Sequence, residues 1–169
     1  MSARANPKAG LRPFLPQDAA FLAEIFRASI EELTEDDYNP AQQEAWASAA
    51  DDMEEFAARL GKHLTLIATL DGSPIGFISL DGPTEIGLLY VHPAVARQGI
   101  GRMLYDAIEK LSVSRGSPHL SVEASDTARE FFTRRGFTAE QRNSVSVGNE
   151  WLSNTTMKKR LAPVAETMQ

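Results

Sequence analysis

Two glycines one residue apart, Gly99 and Gly101, constrain the fold of this chain more than any other feature of its sequence. They lie in the segment VHPAVARQGIGRML (residues 91–104), between an apolar run and a stretch with helical periodicity. Glycine in the first turn of a helix costs about 1 kcal/mol relative to alanine. We therefore interpret the pair as bare backbone at a helix start, left open so that another group can approach it.

The residues around the two glycines predict an anion-binding site. The N-terminus of a helix carries unpaired amides and about half a positive charge. Arg97 and Arg102 flank the glycines, and an arginine can bind a phosphate through two hydrogen bonds. A pyrophosphate is the ligand that fits this combination best. The alternative interpretation is that the glycines only permit tight packing of the helix against a strand.

Two common nucleotide-binding patterns do not match. A P-loop requires a lysine after its last glycine, and none follows here. A Rossmann fingerprint requires a third glycine at the position that Leu104 occupies.

The segments on either side of the glycines predict a βαβ unit. Residues 85–91 (EIGLLYV) and 119–124 (HLSVEA) are apolar enough for strands in the centre of a sheet. The helix between them is indicated by apolar residues at helical spacing, namely Ile100, Met103, Leu104, Ala107, Ile108 and Leu111. Such a unit is parallel and right-handed by default.

The rest of the chain predicts helices first and antiparallel strands at both ends of the sheet. We expect an edge strand at 11–14, a helix from Pro16 with Leu22, Ile25, Phe26, Ser29 and Ile30 on one face, a short helix after Pro40, and a third from Asp51 to Gly61. Further on we expect a hairpin of 63–70 and 74–80, a helix that Ser125 or Asp126 caps and Gly136 ends, and two final strands at 137–147 and 151–161. This pattern predicts an α/β (α+β) domain at 11–161, with a mixed, mostly antiparallel sheet, one central parallel pair and loose tails at 1–10 and 162–169.

Charge and composition narrow the function. The net charge is −6 over 169 residues, which argues against a general nucleic-acid surface. The absence of cysteine excludes a thiolate metal site, and we expect no metal. The N-terminus has no secretory signal, and no apolar run approaches the roughly 20 residues of a membrane helix. We therefore expect a soluble, cytoplasmic protein without a membrane partner.

These motifs resemble those of the GNAT superfamily of N-acetyltransferases, and especially its small bacterial members of the YafP type, which carry a similar ARQGIG. The resemblance covers about residues 10–161 in element order and is most specific from 85 to 137. The family's acetyl-CoA motif follows a strand and reads [QR]-x-x-G-x-[GA]. The segment SDTAREFFTRRGF also resembles a later block of the family, which ends in an aromatic residue, three variable positions and Gly-Phe.

The resemblance has two gaps. Ala96 stands at the [QR] position of the motif, with Arg97 and Gln98 next in line. Ser125 and Phe132 stand where the family often has asparagine and tyrosine. That tyrosine usually protonates the departing thiolate, which Phe132 cannot do. Because an alkyl thiol has a pKa near ~8.5, the thiolate is a tolerable leaving group near neutral pH and catalysis remains possible.

The resemblance implies a fold in which the central parallel strands splay apart around acetyl-CoA, the co-substrate. The main chain of Leu89, Tyr90 and Val91 would hold the pantetheine arm, and the Val91 amide would polarise the thioester carbonyl. The diphosphate would lie on the amides of Gln98, Gly99, Ile100, Gly101, Arg102 and Met103. The arm would be lined by Ser125, Phe131 and Phe132.

The proton of the acceptor amine needs a base, and two carboxylates are candidates. An amine of pKa ~10.4 is mostly ammonium at pH 7 and cannot attack in that form. Glu85, at the start of the central strand, is the first candidate, because alternation places it on the face of Leu89 and Val91 unless a bulge intervenes. Glu123 is the second, and Tyr90 is a candidate donor to the thiolate. Each of the three also has an ordinary structural interpretation.

The predicted function is acetyl-CoA-dependent transfer of an acetyl group to a primary amine of a small molecule or protein, by direct attack in a ternary complex. Tyr38 and the acidic segment 31–37 are candidate borders of the acceptor site. Two alternatives stay open: a non-catalytic CoA-binding sensor or regulatory module, and a binder of another phosphorylated ligand. A homodimer is possible.

Overall fold

The computed structural model describes residues 8–162, which form a seven-stranded sheet with helices on both faces. The strands are β1 (Ala9–Pro13), β2 (Leu64–Leu70), β3 (Ser73–Asp81), β4 (Glu85–Val91), β5 (His119–Ser125), β6 (Thr138–Val147) and β7 (Glu150–Arg160). The helices are α1 (Ala19–Leu33), α2 (Pro40–Ala47), α3 (Met53–Lys62), α4 (Ile100–Ser114) and α5 (Arg129–Arg134). Of the predicted tails at 1–10 and 162–169, residues 1–7 and 163–169 lie outside the described residues.

The predicted mixed sheet is confirmed. Its strand order is β1-β2-β3-β4-β5-β7-β6. The pair β4–β5 is parallel, and every other neighbouring pair in the described sheet is antiparallel. The predicted βαβ unit therefore lies in the middle of the sheet, with β4 matching its predicted bounds.

Several element boundaries differ from the sequence-based prediction, three of them as follows. Strand β1 begins at Ala9 and pairs with β2 from that residue, two residues earlier than expected. Helix α3 continues through Gly61 to Lys62, since Gly61 does not adopt the positive φ with which a glycine ends a helix. A Cβ at Gly61 would meet Phe14 at a comfortable 3.8 Å. Helix α5 begins only at Arg129, because Ser125 Oγ accepts a hydrogen bond from the amide of Ala128 in a turn that precedes the helix.

The sheet separates two apolar cores. Helices α4 and α5 cover one face, where Leu104, Ile108 and Phe132 are almost fully buried. Helices α1 to α3 cover the other face. The predicted buried face of α1 is confirmed for all five of its residues, Leu22, Ile25, Phe26, Ser29 and Ile30.

A β-bulge at Gly87 interrupts the central strand. Ile86 pairs with Leu80 and Leu88 pairs with Ser79, so Gly87 has no partner in β3. The extra residue shifts the alternation of side chains. Leu88 packs into the core under α1 to α3, whereas Ile86 packs into the core under α4 and α5.

The bulge changes the predicted position of Glu85. Leu89 and Val91 pack against the same core as Ile86. Because Glu85 and Ile86 are consecutive residues of an extended strand, their side chains point to opposite faces. Glu85 therefore lies on the face opposite to Leu89 and Val91, which is the exception that the expected alternation allowed for.

Strands β4 and β5 part directly after this point. Their pairing is confined to Glu85 with Ser121 and Ile86 with Val122. Strand β5 continues along β7 as far as the pair of Ser125 with Asn154. The gap lies between the carboxyl ends of the two parallel strands, and the predicted splay is confirmed.

The carboxylate of Asp81 occupies the space beside the bulge. A Cβ at Gly87 would lie 2.0 Å from Asp81 Oδ2. Ser79 Oγ donates a hydrogen bond of 3.2 Å to Asp81 Oδ1, and Arg59 lies 3.9 Å from Oδ2. A side chain at position 87 must therefore displace a carboxylate that is already paired.

We expect Gly87→Ala to lower the free energy of unfolding by about 1–2 kcal/mol, because the new methyl group displaces Asp81. In an Asp81→Ala background the same change should cost much less, since contacting residues couple in a double-mutant cycle. Urea unfolding of the four proteins measures this coupling. Gly61→Ala is the matched control and should not destabilise, because its Cβ has room. Equal costs for Gly87→Ala in both backgrounds would contradict the steric account.

Candidate active site

The glycine loop enters α4 through left-handed backbone. Gly99 is the N-cap of α4 with φ of +85°, and Arg97 has φ of +63°. Within the described chain no side chain caps this helix. The amide of Met103 donates to the carbonyl of Gly99 at 3.0 Å. The amides of Ile100, Gly101 and Arg102 precede that first intrahelical donor, as the start of a helix requires.

The surroundings of the two glycines, Gly99 and Gly101, differ. A Cβ at Gly101 would lie 3.4 Å from the ring of Phe131 and 3.8 Å from Val91 Cγ2, so this position brings α4 close to α5 and β4. A Cβ at Gly99 would have no described atom within 4 Å. A methyl group at Gly101 would be in ordinary contact with these neighbours, so packing limits only larger side chains there and sets no limit at Gly99. Gly99 adopts the positive φ that other residues rarely tolerate, and its missing side chain leaves the start of α4 open.

The gap between β4 and β5 forms a cleft of about 230 Å³ that passes from one face of the sheet to the other. Gly101 and Phe131 line one end, while Ser29 and Trp46 line the other. Eight of the predicted site residues line this one cleft: Leu89, Tyr90, Val91, Gly101, Glu123, Ser125, Phe131 and Phe132.

The remaining predicted residues lie outside the cleft. Gly99, Arg102 and Met103 line an open groove beside α4. Arg97 and Gln98 are exposed in the loop, and Ile100 is buried in the core. Glu85 also lies outside the cleft, away from the glycine loop. It is exposed and pairs with Asp81 in the β3–β4 register.

The backbone of β4 presents free polar groups to the cleft. The amide of His92 donates to the carbonyl of Ile75 in β3 at 2.8 Å. Because successive peptide groups of a strand point to opposite sides, the amides of Leu89 and Val91 point away from β3. They face the gap, where pairing with β5 has ended. An extended ligand can bind there as an added strand does.

A second cavity of about 150 Å³ adjoins the cleft, between α2 and the β6–β7 hairpin. Four residues line both spaces: Trp46, Tyr90, Glu123 and Ser125. These residues form the boundary at which a group in the cleft meets a group in the second cavity.

Glu123 presents a carboxylate at this boundary. Its Oε2 accepts hydrogen bonds from Thr156 Oγ1 at 2.7 Å and from Asn143 Nδ2 at 3.0 Å. Both donors reach the same oxygen and fix the orientation of the side chain. Oε1 has no hydrogen-bond donor among the described residues and is available to a ligand.

The hydroxyl of Tyr90 accepts a hydrogen bond of 3.2 Å from Trp46 Nε1. Its ring contacts Phe26 and Phe77 at centroid distances of 4.7 and 5.8 Å. Burial raises the pKa of Tyr90 to about 12. The hydroxyl is therefore protonated at neutral pH. Because its oxygen only accepts the hydrogen bond from Trp46, its proton is available for donation to a ligand.

Tyr38 ties the hairpin to the loop after β5. Its buried hydroxyl donates to the carbonyl of Ser153 at 2.6 Å and accepts from the amide of Asp126 at 2.9 Å. Burial raises the pKa of Tyr38. Arg142 of β6 forms a two-pronged ion pair with Asp126 in the same region. Tyr38 thus lines the second cavity and also fixes its shape.

Trp46 is the site residue that sequence reasoning missed. It lines both spaces and donates the hydrogen bond to Tyr90. The available signal was an isolated aromatic residue in the polar segment AQQEAWAS. The acidic residues of the segment 31–37 are exposed, with Asp37 accepting a hydrogen bond of 2.8 Å from Thr127, whereas Leu33 and Thr34 of the same segment line the cleft.

Comparison with known proteins agrees with this geometry. The family model for the acetyltransferase (GNAT) domain matches residues 34–161. The chain belongs to the GNAT family of acetyltransferases. The predicted family is therefore confirmed, and with it the assignment of the chain as an acetyltransferase.

Individual GNAT relatives align over nearly the whole chain. The uncharacterized N-acetyltransferase YafP of Escherichia coli K12 is 30% identical over 148 residues, which are 88% of this chain and 93% of YafP. A GCN5-related N-acetyltransferase from Rhodopseudomonas palustris, also described as an aminotransferase of class II, is 58% identical with a TM-score of 0.89, over 95% of this chain and 99% of that one.

A more distant GNAT structure shows the same fold. The PaiA N-acetyltransferase of Thermoplasma acidophilum, in complex with coenzyme A, is 21% identical with a TM-score of 0.75, over 90% of this chain and 99% of that chain. Within residues 8–162, no helix is both long and apolar enough to cross a membrane.

We expect Gly101→Glu to abolish binding of coenzyme A. The new side chain meets Phe131 and places a negative charge at the helix start where the diphosphate is expected. Ser114→Glu adds the same charge at the exposed far end of α4 and should bind normally. Isothermal titration calorimetry, with circular dichroism to verify folding, measures both variants. Unchanged affinity in a folded Gly101→Glu protein would contradict the site assignment.

Proposed function

We propose that this chain transfers the acetyl group of acetyl-CoA to a primary amine of a small molecule or protein, by direct attack in a ternary complex. The observation that carries the proposal is the cleft through the sheet. It joins the start of α4 on one side to a cavity with a carboxylate on the other. Acetyl-CoA and an amine entering from opposite sides would meet at Tyr90 and Glu123.

The residues of the cleft fit acetyl-CoA as co-substrate. The free amides at the start of α4 suit a diphosphate. The outward amides of Leu89 and Val91 suit the amide groups of a pantetheine arm, which Phe131 would cover. The Val91 amide would donate to the thioester oxygen, where negative charge develops as the amine attacks. The coenzyme A of the PaiA complex supports this assignment.

Glu123 is the carboxylate that the geometry favours as the base. Neutralising an amine of pKa ~10.4 at pH 7 costs about 4–5 kcal/mol. Glu123 lines both spaces and has a free oxygen, whereas Glu85 lines neither. In the proposed step the amine nitrogen bonds to the acetyl carbon, its proton passes to Glu123 directly or through one water, and the carbon–sulfur bond breaks.

Tyr90 supplies the proton for the leaving sulfur. Phe132 is only 2% exposed and has no hydroxyl, so it serves as the apolar floor of the cleft. The Tyr90 hydroxyl borders the same cleft, is protonated, and is oriented by Trp46. The Tyr90 hydroxyl thus takes over the protonation of the thiolate, which a tyrosine of the later block usually performs in the family.

The second candidate function is a CoA-binding sensor without turnover, which the phenylalanine at position 132 favours. A single-turnover measurement of acetyl-CoA loss, with thiol detection and a panel of primary amines, separates the two functions. Acetyl transfer predicts stoichiometric release of coenzyme A with at least one amine. Tight binding of acetyl-CoA without release for any amine would establish the sensor.

We expect Glu123→Gln to lower kcat/KM for the amine by about 100-fold or more, the usual contribution of a general base. Glu85→Gln is the matched control and should stay within about twofold, because a group outside the cleft supplies no transition-state stabilisation. Initial rates by thiol detection measure both variants, with acetyl-CoA affinity as a check on folding. The reverse result, a loss with Glu85→Gln alone, would assign the base to Glu85.

We expect Tyr90→Phe to lower kcat by about tenfold while leaving the affinity for acetyl-CoA unchanged, because it removes only the proton donor. Tyr90 must be protonated to act, and its pKa of about 12 keeps it so. The wild-type rate should therefore show no decline up to about pH 10. A falling limb near pH 8 that is absent from Tyr90→Phe would contradict this.

A further inference from the structure

We infer that the second cavity selects the acceptor, and that it takes a primary amine on a small apolar or aromatic body without a carboxylate. This inference rests on the proposed function, because it identifies the class of amine that reaches the boundary with the cleft. Three properties of the cavity carry it: its aromatic wall, its charge and its size.

The wall of the cavity is aromatic on one side and aliphatic on the other. The rings of Tyr38 and Trp46 meet edge to face at a centroid distance of 5.3 Å, and those of Trp46 and Tyr90 at 6.4 Å. Aromatic faces attract ammonium groups and pack against apolar bodies. The facing surface belongs to the β6–β7 hairpin, where Val145, Val147 and Leu152 line the cavity together with Ser153 and Asn154.

The charge of the cavity is negative. Among the described residues that line it, Glu123 is the one with a carboxylate, and none is a lysine, arginine or histidine. Arg142, on the neighbouring strand, is held by Asp126 and by Thr155 Oγ1 at 3.1 Å. An ammonium group therefore finds a partner in Glu123. A carboxylate on the acceptor would find a like charge and no cation.

The volume limits the acceptor further. About 150 Å³ is the space of roughly five water molecules at liquid density. A phenyl ring with a short amino-alkyl chain is of this size. Val145, at 39% exposure, stands at the open rim, so the body of the amine enters past the hairpin and its amino group points inward to Glu123.

Matched pairs of acceptors test the selection. We expect kcat/KM for 2-phenylethylamine to exceed that for phenylalanine by about 100-fold, the effect of one unpaired like charge at a few ångströms. Initial rates by thiol detection measure the ratio. Turnover of phenylalanine at an equal or higher rate would overturn the inference while leaving the acetyltransferase function intact.

A cation placed at the rim tests the cause of the selection. Val145→Arg should raise kcat/KM for phenylalanine relative to 2-phenylethylamine by at least about tenfold, because it supplies the missing partner. Ser146→Arg adds the same charge at the next residue, which is exposed and does not line the cavity. That control should leave the ratio unchanged. An unchanged ratio in Val145→Arg, or an equal rise in both variants, would overturn the inference.

A binding measurement separates this inference from the proposed function. The chain has two tryptophans, Trp46 in the cavity wall and Trp151, which is 63% exposed outside it. In Trp151→Phe, Trp46 is the remaining tryptophan, and with a constant saturating concentration of coenzyme A in the cleft, changes in its fluorescence report on the cavity. With coenzyme A present, 2-phenylethylamine should change this fluorescence saturably and phenylalanine should not.

The two readouts together assign each failure. Binding of 2-phenylethylamine without turnover of any amine would support the cavity assignment and contradict the acetyltransferase function. Turnover of amines without a change in Trp46 fluorescence would contradict the cavity assignment alone. Equal fluorescence changes with both ligands would overturn the predicted selectivity.

Discussion

The separation of β4 from β5 is the constraint on which the rest of the structure depends. Two residue pairs hold these strands together, and the bulge at Gly87 follows at once. After the bulge the backbone of β4 keeps its partner β3 but has none on its other side. Unpaired peptide groups in a sheet are costly unless a ligand or water satisfies them. The unpaired backbone of β4 therefore provides a binding site for an extended ligand.

The ends of this gap are electrostatically different, which gives the cleft a direction. On one side the start of α4 offers amides and the positive end of a helix dipole. On the other side Glu123 lies among aromatic rings, with Tyr38 fixing the hairpin. In the proposed reaction an anionic co-substrate and a cationic acceptor would be drawn to opposite mouths. The proposed reacting groups would meet between them, where Trp46 donates its hydrogen bond to Tyr90.

The sequence alone predicted those features of the fold that depend on local residue patterns. The bounds of β4, the glycine loop, the parallel pair and the order of elements all follow from periodicity and from glycine spacing. The bulge was allowed for but not located, although a glycine inside a strand is its usual signal. The second cavity was beyond reach, because it joins residues as far apart as Tyr38 and Ser153, 115 positions along the chain. Trp46 acquires its role only through such contacts.

Residue-resolved amide hydrogen exchange, with and without coenzyme A, tests the central claim most directly. The amides of Tyr90 and His92 point to β3 and should be protected in the free protein. Those of Leu89, Val91, Gly101 and Arg102 should exchange quickly in the free protein and become protected when coenzyme A is added. This alternating pattern is what a ligand acting as an added strand must produce. Fast exchange at Leu89 and Val91 in the presence of saturating coenzyme A would contradict the account.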